Sequence, residues 1–105
     1  MTKNFNRSYW TFIVLALLAE EDRWGYELSR IVKQRTNGLY ELRHGVLYPL
    51  LSQLEKNKML SSRIQKSPYG RHCKYFSLTP KGRILLEQET KTIEALMVFL
   101  NSTKP

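Results

Sequence analysis

The stretch Tyr9 to Ala19 (Tyr-Trp-Thr-Phe-Ile-Val-Leu-Ala-Leu-Leu-Ala) runs for eleven residues without a charged side chain. Wound as a helix it is apolar on every side, so more than one neighbour must cover it. Ser8 stands where it can cap such a helix. In a chain of 105 residues the cover has to come from a few other helices or from a second subunit, because a domain of this size buries only about two-thirds of its unfolded surface. The run is too short to span a bilayer. Its basic start (Lys3, Arg7) imitates a secretory leader, but Ala16 and Ala19 are separated by two leucines, so no clean small-x-small cleavage site follows and a cytoplasmic location is expected. The single Cys73 excludes an internal disulfide and fits the same reducing compartment.

Glu20, Glu21 and Asp22 end the apolar run. Trp24, Leu28, Ile31 and Val32 then form one stripe, which predicts a second helix over Trp24 to Thr36, stopped by Asn37 and Gly38. Leu47, Leu50, Leu51 and Leu54 recur at i, i+3, i+4 and i+7 and predict a third helix from about Gly45 to Asn57. Pro49 lies inside that pattern, yet the residue it would crowd is Gly45, close to the helix start where little hydrogen bonding is lost.

Leu60, Ser62 and Ile64 alternate with Ser61, Arg63 and Gln65, and Lys74, Phe76 and Leu78 alternate with Cys73, Tyr75 and Ser77, as in half-buried strands. The connector Lys66-Ser67-Pro68-Tyr69-Gly70-Arg71 makes them a hairpin. Thr79-Pro80 reads as an N-cap followed by proline at the first helical position, launching a helix to about Ser102. That helix spans roughly 34 Å, more than so small a body covers alone. Its apolar residues Leu86, Ile93, Leu96, Met97 and Leu100 are a candidate dimer seam, with Trp10, Ile13 and Leu17 of the first helix as the surface it meets.

The expected fold is therefore α+β and mostly helical: three helices and a two-stranded wing, a winged helix-turn-helix over residues 1–79, with a C-terminal dimerisation helix over 80–105 in the same compact domain. Lys and Arg number 17 against 9 Asp and Glu, a net charge of +8. Residues 43–78 hold seven basic residues and one acidic residue, and so carry +6 of that excess. Charge concentrated in this way recruits a polyanion and releases its counterions. With the leucine stripe turned inward, Gly45, Pro49, Ser52 and Lys56 turn outward, flanked by Tyr48 and Gln53. Ser52 and Gln53 can read base edges and Lys56 can meet phosphate in a major groove of double-stranded DNA. Arg43, His44, Arg63, Lys66, Tyr69, Arg71 and Lys74 complete the candidate DNA-binding set, those of the hairpin being suited to backbone or minor-groove contact.

Gly25-Tyr26-Glu27-Leu28, then Gly45-Val46-Leu47-Tyr48-Pro49-Leu50-Leu51 with Leu54-Glu55, then Tyr75-Phe76-Ser77-Leu78-Thr79-Pro80-Lys81-Gly82, resemble the successive signatures of PadR-family bacterial transcriptional regulators. The resemblance covers residues 13 to 86, and the single helix after the wing is similar to the family's small subfamily. It implies a homodimeric repressor whose last helix pairs with the partner subunit, often against the first helix; two-fold-related recognition helices then predict an inverted-repeat operator, and the expected location is the bacterial nucleoid. The sequence departs from the family in three places. Arg43 and His44 stand where small or capping residues are usual, Arg71-His72-Cys73-Lys74 keeps only part of an Arg-rich wing end, and the last helix has Ile93 where multidrug-binding relatives carry a Trp. A drug sensor is not implied.

Other chemistry fares poorly. His72 and Cys73 point to opposite faces of one strand and His44 lies elsewhere, so no metal ligand set converges. Arg71 and Lys74 beside Cys73 would favour a thiolate, but the default for a lone Cys is packing. Trp10, Phe12 and Phe99 suggest either packing or a pocket for a small hydrophobic effector at the dimer interface. With no nucleophile paired to a histidine base and no Gly-rich phosphate loop, neither an enzyme nor a cofactor is expected. The rival readings are a winged-helix protein-interaction adaptor and a nonspecific nucleic-acid-binding protein.

Overall fold

The computed structural model describes residues 2–103, with side chains from residue 9 onward. The first helix, α1, runs over Thr2–Glu20. It begins earlier than the apolar run, so Ser8 lies within it rather than capping it; no Gly or Pro between Thr2 and Ser8 interrupts helical geometry.

A short strand, β1 (Arg23–Trp24), precedes α2 (Gly25–Arg35). Trp24 was expected in the helix and instead is extended, at φ −89° and ψ 158°. It faces Tyr75 across an antiparallel pairing, and Arg23 faces Phe76; this tertiary pairing overrides the helical stripe. Asn37 and Gly38 end α2 as expected, at φ 52° and 78°, with the Gly38 N–H donating to the Lys33 carbonyl at 2.8 Å. That geometry satisfies a carbonyl the helix leaves open.

Helix α3 spans His44–Lys56 and buries Leu47, Leu50, Leu51 and Leu54. Pro49 sits in it without ending it. The bond it forfeits would have gone to the carbonyl of Gly45, an exposed residue whose oxygen water can reach. Lys58 adopts a left-handed conformation, φ 67°, while the Met59 N–H donates to the Leu54 carbonyl at 2.9 Å. The chain thereby turns straight from α3 into β2 (Leu60–Lys66), which pairs antiparallel with β3 (His72–Leu78) from Leu60↔Leu78 to Lys66↔His72. The sheet order is β1-β3-β2. Alternation is only partial: Leu60 is buried, Ile64, expected on the covered face, is 66% exposed, and the neighbours Tyr75 and Phe76 are both buried, where β1 pairs with them.

Helix α4 (Pro80–Ser102) starts on the expected cap, the Gly82 N–H donating to Thr79 Oγ1 at 3.0 Å. The Thr79 hydroxyl lies 2.7 Å and 2.9 Å from the carbonyls of Lys58 and Met59, tying the start of α4 to the start of β2. Val14, Leu15, Leu28, Leu42, Leu47 and Leu51 are the most enclosed side chains, so α1, α2 and α3 share one core with the sheet closing one side. The architecture is a winged helix-turn-helix, α2 and α3 joined by residues 36–43, with β2 and β3 as the wing and α4 as a long closing helix.

Candidate nucleic-acid interface

The buried leucines of α3 fix which residues its other side presents. Ser52, Gln53 and Lys56 are exposed, and the side chains of Ser52 and Gln53 make no hydrogen bond among the described residues. Tyr48 is seated differently. A Cβ on Gly25 would lie 2.8 Å from Tyr48 Cε1, so the missing side chain at the start of α2 lets the phenol ring rest on the backbone there. Partial burial, and secondarily the Cys73 sulfur, pushes the Tyr48 phenol up from a range in which it is already neutral near pH 7. His44 meets Tyr48 edge-on at 5.4 Å and Tyr26 at 5.9 Å, and Tyr26 lies 5.6 Å from Trp24. This aromatic row, which sequence reasoning did not assemble, joins the start of α2 to the start of α3; Trp24 and Tyr26 on either side of Gly25, and His44 four residues before Tyr48, were its only trace in the sequence.

The wing tip is a tight turn over residues 67–71. The Ser67 N–H donates to the Arg71 carbonyl at 2.6 Å and the Gly70 N–H to the Ser67 carbonyl at 2.9 Å. Gly70 takes φ 87°, a conformation that costs glycine nothing. Lys66, Tyr69 and Arg71 are exposed around this turn, with Tyr69 73% open.

Not every candidate cation is available on these terms. Lys74 Nζ lies 3.2 Å from Glu55 Oε1, above the Phe76 ring. Glu55 also accepts from the Ser62 hydroxyl, and that bond, with help from Lys74, holds its carboxyl below the usual carboxylate range. One carboxylate thus fastens α3 to both wing strands. Arg63 lies on the opposite face of the sheet from Lys74, since Arg63 pairs with Tyr75 and Lys74 with Ile64. There it meets Asp22 at 3.0 Å and the Ser77 hydroxyl at 2.9 Å. Arg43, 80% exposed, is 3.8 Å from Glu41. The structure therefore gathers Ser52, Gln53 and Lys56 on α3 and Lys66, Tyr69 and Arg71 at the wing tip, and sets Arg63 apart. Cys73 is half-buried, and no cluster of three or more His, Cys, Asp or Glu able to hold a metal occurs among the described residues.

The candidate dimer residues divide as well. Leu17 is only 6% exposed and belongs to the protomer's own core, and what it leaves open lines the groove beside α1. Trp10, Ile13 and Ile93 line a groove of about 390 Å³ between α1, α2 and α4, together with Phe12, Ile31 and Tyr40. Phe99 was expected there with Trp10 and Phe12; it lies outside, 60% exposed near the end of α4. Leu86 packs against the core, whereas Leu96, Met97 and Leu100 are each about half exposed, in a run with Val98 and Phe99.

The profile of the transcriptional regulator PadR-like family matches residues 14–88 of the chain. The chain belongs to the PadR-like family of transcriptional regulators. A Lysinibacillus sphaericus protein is 31% identical to it over 85 residues, which cover 81% of this chain and 78% of that one. The structure of a transcriptional regulator from Clostridium thermocellum superposes with a TM-score of 0.83 at 28% identity, covering 97% of this chain and 99% of the other. In Bacillus subtilis PadR bound to operator DNA the fold recurs with a TM-score of 0.70 at 21% identity, over 78% of this chain and 46% of that one. The PadR-like core thus takes in α2, α3 and the wing, the elements that present the exposed polar and basic side chains. Among the described residues no helix is long and apolar enough to cross a membrane.

Proposed function

We propose that this PadR-like regulator is a homodimeric repressor that binds an inverted-repeat operator in the bacterial nucleoid, within the cytoplasm. Residues 1–79 act as the reading head and 80–105 as the dimerisation helix. The observation that carries the reading is the open, polar outer side of α3 beside an exposed basic wing tip. Ser52 and Gln53 read base edges, Lys56 pairs with phosphate, Tyr48 donates its phenolic hydrogen to the backbone, and Lys66, Tyr69 and Arg71 follow the strand across the adjoining groove. His44 and Arg43 lie at the entry to the reading helix, and Lys74 and Arg63 reach DNA only by exchanging their carboxylates for phosphate.

The apolar run Leu96 to Leu100 is the counterpart of the groove beside α1, and the seating of one protomer's α4 on its partner covers both. Two reading helices then meet successive major grooves about one helical turn apart. Whatever groove volume the partner leaves open is a place for a small hydrophobic effector, and occupation of the operator excludes other proteins from the promoter. Sequences selected from a random duplex pool, followed by fluorescence anisotropy on a full inverted repeat and on one half-site, test this. The full site should bind more tightly and with a steep salt dependence; equal affinity for half-site, full site and random duplex would overturn it.

A further inference from the structure

Arg23 is one of the few charged side chains the fold encloses, with 6% of its side chain exposed. Its Nε donates to the Leu17 carbonyl at 3.2 Å and its Nη2 to Glu20 Oε1 at 2.8 Å. Glu27 and Glu21 stand further off, at 3.7 Å and 3.5 Å. Glu20, the last residue of α1, does not serve Arg23 alone. Its two oxygens also take both Nη groups of Arg35, at 2.8 Å and 2.9 Å. Arg35 is the last residue of α2 and lines the groove beside α1. Arg23 belongs to β1, whose partner strand β3 is half of the wing.

One carboxylate therefore joins three elements: the helix that carries the groove, the helix that leads into the reading helix, and the strand that pairs with the wing. The leucines that pack α1 against the core favour burial without fixing direction. A carboxylate shared by two guanidinium groups fixes direction, because fork-on-carboxylate bonding constrains plane and distance together. The buried Arg23 also needs such a partner, since an enclosed cation that loses one is left uncompensated.

We propose that Glu20 is a positioning residue for DNA reading: its grip on Arg35 and Arg23 sets the angle between α1, the helix on which the second copy seats, and the α2, α3 and wing assembly, and so sets the half-site separation that the dimer accepts. This rests on the homodimer reading given above. Glu20 touches no DNA in it and acts only through the two arginines.

The test uses the full chain and three variants. Glu20→Gln keeps the shape and removes the charge. Arg35→Lys keeps the charge and removes the fork at a half-exposed position. Glu21→Gln removes the carboxylate 3.5 Å from Arg23 that no fork involves. Each is measured for dimer dissociation by sedimentation, for affinity to a half-site and to the full repeat, and for affinity to repeats whose spacer is one base pair longer or shorter. Glu20→Gln should remain a dimer with normal half-site affinity, and Arg35→Lys, at a residue that lines the groove the partner covers, should keep normal half-site affinity. Both should lose roughly tenfold of the advantage of the full site, within the usual range of coupling between sites, and should discriminate less among spacers. Glu21→Gln should behave like the wild type. A wild-type spacer profile in both Glu20→Gln and Arg35→Lys overturns the proposal, as does an equal loss on half-site and full site, which would mark a merely structural role. If the wild type itself shows no advantage for the full site, the homodimer reading fails and takes this proposal with it, a result visible before any variant is made.

Discussion

Two glycines of this chain sit in helices in opposite situations, and their replacement by alanine should move stability in opposite directions. A Cβ built on Gly82 would lie 2.2 Å from the Met59 carbonyl oxygen and 2.7 Å from Leu78 Cδ1. The nearer obstacle is backbone, which cannot swing away as a side chain does. To bring that contact out to an ordinary separation of about 3.5 Å, the start of α4 must retreat by about 1 Å. The retreat strains the hydroxyl of Thr79, held 2.7 Å and 2.9 Å from two carbonyls, and the Thr79 N–H, which donates to the Met59 carbonyl at 3.1 Å. Overpacking of this kind costs about 1–3 kcal/mol, and each weakened hydrogen bond adds about 1 kcal/mol at most. Alanine's helix preference over glycine returns about 1 kcal/mol.

Gly82→Ala should therefore destabilise the protein by about 1–3 kcal/mol, with each kcal/mol lowering Tm by about 4–8 °C in a chain of this size. At Gly45 nothing lies within 4 Å of a built Cβ, so Gly45→Ala should gain up to about 1 kcal/mol from helix preference alone. Urea denaturation followed by far-ultraviolet circular dichroism, at one fixed protein concentration because a dimer's midpoint depends on it, gives both values. If Gly82→Ala is as stable as the wild type, the close seat of α4 on β2 is wrong. If both variants shift the same way, glycine's conformational freedom governs them and packing does not.

Lys56→Ala, Lys66→Ala and Arg71→Ala should each weaken binding to all duplexes alike and lower the salt slope by about one, whereas Ser52→Ala and Gln53→Ala should alter sequence preference in a competition against random duplex. Ile93→Ala combined with Leu100→Ala should yield monomers near 12.4 kDa in sedimentation, since loss of a buried large aliphatic side chain costs about 2–5 kcal/mol and occurs twice in a symmetric dimer. The folded-state pKa of Glu55 is lowered, first by the Ser62 hydroxyl and then by Lys74, so its contribution is present above the ordinary carboxylate pKa and is lost as pH falls through the lowered value. Wild type should accordingly exceed Glu55→Gln in stability at neutral pH and converge with it in acid; a constant difference across a pH series of denaturation curves would refute that assignment.

The parts of the fold legible in the sequence were those decided by neighbours along the chain. The stripe Leu47, Leu50, Leu51, Leu54 gave α3 to within a residue or so at each end, and the same rotation put Ser52 and Lys56 outside with Gln53 on the flank. Thr79-Pro80 gave the start of α4 because cap and proline act within one turn. Strand β1 was hidden because two residues carry no period, and what makes Arg23 and Trp24 extended is a pairing with Phe76 and Tyr75, far along the chain. The beginning of α1 was hidden for another reason: its polar first residues have no stripe, and only the absence of a breaker marks them. In the interface, exposure was readable and engagement was not. Nothing local to Lys74 or Arg63 announces Glu55 or Asp22 as a partner, and the seat of Tyr48 on Gly25 depends on how α2 crosses α3.

Those hidden partners change what the charge of the chain means. By sequence the segment 43–78 offers an excess of +6 to a polyanion. In the folded protomer Lys74 and Arg63 already hold Glu55 and Asp22, and Arg43 stands near Glu41. Among the described residues of the reading helix and wing tip, Lys56, Lys66 and Arg71 have no ion pair to give up. On the proposed function a phosphate contact to each of these three would gain attraction at no internal cost, and they would set the salt dependence, at about 0.9 per contact and therefore between two and three per protomer. Lys74 and Arg63 would instead exchange one anion for another, a near-neutral trade that would add little to affinity but loosen the ties of the wing to α3 and to the corner between α1 and β1. In the proposed complex the acidic partners would do more than dilute the positive charge: through Glu55 and Asp22 they tie the wing to α3 and to the corner between α1 and β1, ties that a phosphate would have to replace.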